Sequence, residues 1–142
     1  MRVALIITAC VLALMLFLIG RAAVVDSEYD TLEDARKDGL FGRGWLPDIL
    51  PESSKDIRVS NNLDINTSDG EFSFNASDYA EFSSRVIRYR SGMAGLEEID
   101  RESHLAPEGL DAFIYLEGEY VWAFFCNKTL AHCQYILRSR RG

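Results

Sequence analysis

The sequence predicts an α+β protein: an N-terminal transmembrane helix, then one domain with a mostly antiparallel sheet of about five strands and two main helices. Three observations carry this prediction. Residues 3–19 are almost continuously apolar, five later segments alternate or cluster apolar side chains as strands do, and two segments have helical start signals. The predicted order is helix, hairpin, helix and three-stranded meander, with the helices gathered on one face of the sheet.

The apolar run is interrupted only by Thr8, and as a helix it would span about 26 Å, close to the hydrocarbon thickness of a bilayer. It predicts a single-pass anchor over residues 1–25 and an extracytoplasmic domain over residues 26–142. Arg2 and the amino terminus lie on one side of the apolar run and Arg21 lies on the other. By the positive-inside rule, this distribution favours a cytosolic N-terminus. The predicted location is therefore the cell (inner) membrane, with the domain on the extracytoplasmic side.

Two other interpretations of the apolar run stay open. A cleaved signal peptide needs small residues before the cut, but Arg21 lies inside the only candidate site, and the apolar core is slightly too long. A lipoprotein signal is suggested by the residues before Cys10. Only nine residues precede Cys10, however, and apolar residues follow it where a lipoprotein would become polar.

The charge balance bears on the partner. The whole chain has a formal net charge of −7, and both Arg2 and Arg21 precede the domain, so the domain itself is more acidic than the chain. An acidic surface repels phosphate backbones, which argues against nucleic acid as a partner. A basic protein partner is compatible with this charge, and so is a role in solubility alone.

Both predicted helices have N-terminal signals. Thr31 followed by Asp34 resembles a capping box, and Gly39 supplies the left-handed stop. Asp78 and Glu81 open the second helix in the same way. Apolar residues of the second helix then recur at three- and four-residue spacing on one face: Tyr79, Phe82, Val86 and Tyr89.

Strands are predicted where apolar residues alternate. Residues 57–62 and 71–74 alternate on either side of a turn at 68–70, which indicates a hairpin. Residues 112–116, 120–126 and 133–137 form the closing meander. The middle one is apolar on both faces, as a central strand covered on both sides would be.

Two prolines frame a segment that can be neither a continuous helix nor a central strand. Its side chains either plug the open end or edge of the sheet, the interpretation we favour, or form a docking surface. The possible binding surface comprises Trp45, Leu46, Pro47, Ile49 and Leu50.

Cys126 and Cys133 flank a short turn, so they can face each other on adjacent strands and form a disulfide outside the cytosol. A metal site would have to recruit His132. Neighbouring residues of a strand point to opposite faces, however, so His132 and Cys133 do not converge easily. We predict a disulfide, no metal site and no cofactor.

No motif for nucleophilic, metal-dependent or phosphate-binding catalysis occurs. His104, beside several carboxylates in a polar connection, is the one candidate acid–base group, and a solvated surface histidine explains it more simply. The stretch from Asp64 to Gly70 faintly resembles a calcium loop, but its glycine is one place late, and a hairpin turn explains it better.

At Thr31–Ala35, Gly44-Trp45-Leu46-Pro47 through Ser53, and Leu63-Asp64-x-Asn66, the chain resembles small membrane-anchored or secreted bacterial proteins of unknown function. The resemblance implies a bacterial envelope location. It implies no activity and transfers no site residues.

The function expected from these observations is that of a non-catalytic, membrane-anchored envelope protein whose domain binds another protein or an envelope component. One alternative is a hydrolase-type enzyme with a shallow acid–base site near His104. A third hypothesis is an acidic inhibitor or immunity-like protein that neutralises a basic partner. No oligomeric state follows from the sequence.

Overall fold

The computed structural model describes residues 23–103 and 108–140. Seven strands form one sheet in the order β1-β2-β3-β7-β6-β5-β4, and every neighbouring pair is antiparallel. The strands are β1 (Val24–Thr31), β2 (Lys55–Asn62), β3 (Thr67–Ser73), β4 (Ile87–Arg88), β5 (Asp111–Glu117), β6 (Tyr120–Asn127) and β7 (His132–Ser139). The helices are α1 (Leu32–Lys37), α2 (Tyr79–Arg85, after a 3-10 turn at Ala76–Asp78) and α3 (Glu97–Ser103).

The predicted fold class is wrong in its strand count, because β1 and β4 were not foreseen. β1 is an edge strand that is exposed or half-exposed along its whole length, so its side chains carry no apolar alternation. β4 occupies residues expected in the second helix. That helix ends at Arg85, and Ile87 and Arg88 instead pair with β5.

The two predicted helices do gather on one face, but a third helix lies on the other. α1 and α2 lie against one face of the sheet, whereas α3 supplies Ile99 to a separate apolar cluster on the other face. The sequence of residues 92–109 is polar and rich in glycine, and it predicts a long connection with at most one short element at residues 96–99. The sheet therefore lies between helices.

The predicted transmembrane segment, residues 3–19, lies outside the described residues. Among the residues that are described, no helix has the length and apolar character needed to cross a membrane. Over residues 23–103 and 108–140 the fold is a seven-stranded antiparallel sheet with three short helices.

The first face of the sheet carries the larger core. Leu32 and Ala35 of α1 pack there with the proline-framed segment, and α2 contributes Phe82. Phe82 makes edge-to-face contacts with Phe72 of β3 and Phe124 of β6, with centroid distances of 6.1 and 5.5 Å. Such pairs add to the free energy of burial and hold α2 over the middle of the sheet.

The second face carries a smaller core confined to one half of the sheet. Leu96 and Ile99 pack on Ile114 of β5 and on Val121 and Ala123 of β6. β6 thus buries alternate residues on both faces, as its apolar sequence predicts. The other half of this face belongs to β1, β2, β3 and β7.

Cys126 and Cys133 are directly paired across β6 and β7, and both are fully buried. They form a disulfide with a Cα–Cα distance of 4.1 Å. The bond closes the β6–β7 hairpin beneath the aromatic core, so its role is structural.

Removing this disulfide by the double change Cys126→Ala and Cys133→Ala should lower the free energy of unfolding by about 2–3 kcal/mol, because a short closed loop is released in the unfolded chain. Alanine avoids burying a hydroxyl. Urea denaturation measures the loss, and reduction of the unaltered protein should reproduce it. Free alkylation of both thiols in the native, unreduced protein would contradict the pairing.

Candidate functional site

Half of the second face of the sheet is open to solvent in the part of the chain that the structure describes. α3 covers the β5–β6 half, while alternate side chains of the four other long strands project from the uncovered half. We call this half the open face, and its side chains are Asp26, Glu28, Arg58, Ser60, Asp69, Glu71, Gln134 and Ile136.

The strand register arranges the open face in two rows that run across all four strands. The first row is Glu28, Arg58, Glu71 and Gln134, each paired with its neighbour on the next strand. The second row is Asp26, Ser60, Asp69 and Ile136. Each row therefore brings together two carboxylates that are more than forty residues apart in the sequence.

A groove of about 540 Å³ lies over these rows, and a hollow of about 270 Å³ adjoins it and reaches α3. Together they form what we call the acidic groove. No group of three or more His, Cys, Asp or Glu within residues 23–103 and 108–140 is arranged to hold a metal ion. Five carboxylates and two arginines line the groove: Asp26, Glu28, Asp69, Glu71 and Glu102, with Arg58 and Arg138.

Arg58 is the exposed cation of the groove. Its Nη1 lies 2.9 Å from Glu71 and its Nε lies 3.5 Å from Glu28, while its side chain remains 64% exposed. Exposed ion pairs of this kind contribute about 1 kcal/mol or less. A cation from another molecule can therefore replace Arg58 between the two carboxylates at little cost.

Arg138 is the buried cation at the other end, and all five of its N–H donors are used. Its Nε and Nη2 donate to Glu102 at 2.7 Å, and Nη2 also donates to Asp69 at 2.8 Å. Its Nη1 donates to the carbonyl oxygens of Ser68 and Leu137. Burial alone would lower the pKa of Arg138, but the hydrogen bonds to Glu102 and Asp69 outweigh it and raise the pKa. This network ties α3 to the sheet and closes one end of the groove.

Gly70 lies in β3 between the two rows. A Cβ at this position would lie 2.6 Å from the ring of Tyr135, so glycine lets that ring approach the strand closely. The Tyr135 hydroxyl is 3.3 Å from Ser68 Oγ, and burial raises its pKa above the usual range. Tyr135 is therefore neutral and supports the groove from below.

The segment proposed as a binding surface is mostly interior. Leu46, Ile49 and Leu50 are buried in the core of the first face, Pro47 is buried as well, and Trp45 is partly buried against the same core. Five residues placed in this way do not form an exposed docking surface. Their packing is that of a plug between α1 and the sheet.

His104, the candidate acid–base residue, lies outside the described residues. The carboxylates near it in sequence have structural contacts. Asp100 accepts hydrogen bonds from the Tyr89 hydroxyl and from the Gly92 amide, and Glu102 pairs with Arg138. These acids hold α3 and its preceding loop.

The structure does bring together a serine, a histidine and a carboxylate that the sequence did not suggest. Ser73 Oγ lies 3.0 Å from His132 Nδ1, and His132 Nε2 lies 3.4 Å from Glu71. The amides that follow Ser73 donate elsewhere: Phe74 to Ala131 at 3.0 Å and Asn75 to Ser53 Oγ at 3.0 Å. Because those amides are engaged, they are not available to stabilise an oxyanion. The Ser73–His132 contact is a cross-strand hydrogen bond between β3 and β7.

Residues 23–73 match a family model described as the YbbD head domain. The match spans β1, α1, β2 and β3, and all three stretches of the sequence resemblance fall within it. It supports a relationship to a small bacterial protein family. No curated protein and no solved structure matches the chain.

Proposed function

We propose that this chain is a non-catalytic envelope protein whose domain binds a basic protein through the acidic groove. The observation that carries the proposal is the uneven covering of the sheet: α3 closes one half of the second face, and the other half presents two carboxylate-bearing rows to solvent. This proposal joins the expected binding role with the hypothesis of an inhibitor of a basic partner.

A solvated face is common in antiparallel sheets, so openness alone does not indicate binding. The shape and the charge of this face together indicate binding. The open face carries a groove of about 540 Å³, and carboxylates outnumber arginines along it. Ile136 lines both the groove and the adjoining hollow and offers an apolar contact beside the charges. An acidic groove of this kind attracts a basic partner over a distance and speeds its association.

The proposed location is the extracytoplasmic side of the bacterial cell membrane. A buried disulfide supports this, because such bonds persist in oxidising compartments and are rare in the cytosol. The apolar run at residues 3–19 points to the same compartment. Partners would then be basic proteins that enter or cross the envelope.

We expect the disulfide-bonded protein to bind a lysine-rich peptide, with an affinity that decreases as salt increases. The double change Glu28→Gln and Glu71→Gln should weaken this binding about tenfold, since each removes one groove charge worth about 0.7 kcal/mol to a bound cation. Fluorescence anisotropy of a labelled peptide measures the affinity.

The matched control is Glu33→Gln with Glu81→Gln. It removes the same charge, and each of these glutamates forms an ion pair on a helix away from the groove. It should change the affinity by less than about twofold. Equal weakening by both double variants would mean that net charge alone attracts the peptide, and the groove would lose its role. A crosslinking pull-down from native membranes should likewise retain its partner in the control and lose it in the groove variant.

A further inference from the structure

In the described part of the chain, the edge of the sheet beside the acidic groove is unpaired along β1. β1 pairs with β2 alone among the described residues, and its side chains are exposed or half-exposed throughout. The Leu63 amide donates to the Ala23 carbonyl at 2.8 Å, which makes this pair a hydrogen-bonded one. In an antiparallel ladder such pairs alternate, so the main-chain groups of Val24, Asp26 and Glu28 point away from β2.

The same residues carry the acidic side chains of the edge. Asp26 and Glu28 project onto the open face, where they begin the two rows of the groove. A residue on an added strand directly opposite either one would share its face and lie within reach of its carboxylate. The hydrogen-bonding edge and the negative charge are therefore presented by the same positions.

We infer that the partner docks as an extended basic segment that adds an antiparallel strand to β1, as in every other pair of this sheet, with alternate basic side chains beside Asp26 and Glu28. This inference rests on the proposed function and specifies the form of the partner. A second copy of this chain is a poor occupant, because pairing two β1 edges would bring like charges together. A basic strand turns the same charges into attractive cross-strand pairs.

The first test uses a peptide that alternates lysine and threonine, in three forms. One form is unmodified, one is N-methylated at every lysine amide, and one is N-methylated at every threonine amide. When the segment pairs antiparallel to β1 with its lysines directly opposite Asp26 and Glu28, the lysine amides donate to β1 and the threonine amides face away. Methylation at lysine should weaken binding at least about tenfold, through the loss of several main-chain hydrogen bonds. Methylation at threonine should leave the affinity within about twofold.

The second test changes the protein. Glu28→Pro and Glu28→Gln both remove the charge, but only proline removes the outward amide, and an edge position whose N–H faces solvent tolerates proline. Binding of the unmodified peptide should be several-fold weaker for proline than for glutamine. Melting curves establish whether both variants fold; if the proline variant does not fold, the methylated peptides decide the question alone.

The outcomes separate this inference from the proposed function. If all three peptides bind equally and Glu28→Gln with Glu71→Gln still weakens them, the groove binds basic segments without strand addition and the inference is wrong. If the unmodified peptide does not bind at low salt, the proposed function itself fails. Loss of binding only for the peptide methylated at its lysine amides supports both the inference and the proposed function.

Discussion

Arg138→Ala should lower the free energy of unfolding by about 3 kcal/mol, among the largest effects of any single change outside the aromatic core. Removing one partner of a buried ion pair costs roughly 3–5 kcal/mol, because the other charge stays buried without compensation. Glu102 would be left in that state, with a side chain only 29% exposed, whereas Asp69 is 58% exposed and can be solvated. The expected loss is therefore at the low end of the range.

Urea denaturation measures this loss, and hydrogen exchange locates it. Amides of α3 should exchange faster in the variant, because Arg138 is its polar tie to β3 and β7. The matched control is Arg58→Ala, since Arg58 also contacts two carboxylates on this face but is 64% exposed. It should cost about 1 kcal/mol or less. Similar losses for the two arginines would show that the burial of Arg138 has no energetic consequence.

Gly70→Ala should cost about 3 kcal/mol as well, at the upper end of what overpacking produces. The added Cβ would lie 2.2 Å from the main-chain oxygen of Arg58 and 2.6 Å from the Tyr135 ring. A side chain could move aside, but the Arg58 carbonyl belongs to the neighbouring strand and cannot move without opening the β2–β3 pairing. The strain therefore falls on the hydrogen bonds between β2 and β3, the two strands that form the floor of the groove.

Gly42→Ala is the control for this change. Its added Cβ would approach only the Gly39 oxygen, at 3.7 Å, which is an ordinary contact, and no positive φ is required there. We expect an effect within about 0.5 kcal/mol. Differential scanning calorimetry compares the two variants directly. An unchanged melting temperature for Gly70→Ala would contradict the tight approach of β2 and Tyr135 to this glycine.

Local sequence patterns predicted the interior of the fold better than its edges. Ile57 and Val59 alternate because one face of β2 is buried, and β6 is apolar throughout because both of its faces are. β1 has no such pattern. It is held by main-chain pairing with β2, and main-chain hydrogen bonds leave no signature in side-chain types.

The connection between α2 and β5 misled the sequence interpretation for a different reason. Val86 and Tyr89 continue the helical spacing of Tyr79 and Phe82, so the helix was expected to extend further. The chain instead leaves the helix at Arg85, and Ile87 pairs with Ile114 of β5. Pairing with β5 outweighed the local helical periodicity. Val86 and Ile87 are β-branched, so they favour a helix only weakly.

The candidate site could be anticipated only in its overall charge. The excess of acidic residues predicts a basic partner or none, but it does not say where the acids gather. Asp26, Glu28, Asp69 and Glu71 meet because β1, β2 and β3 pair in one particular register. A shift of a single residue would turn one strand's acids to the other face of the sheet.

By itself, the sequence determined the features that depend on near neighbours: the helix start at Thr31, the two-faced strand β6, the facing cysteines and the acidic balance. Only the tertiary structure decided that α3 covers one half of the second face and leaves the acidic half open. The physical reason is the distance along the chain over which each kind of interaction acts. Helix caps and strand alternation act over two to four residues, whereas strand order and the covering of a face depend on which distant segments bury the most apolar surface together.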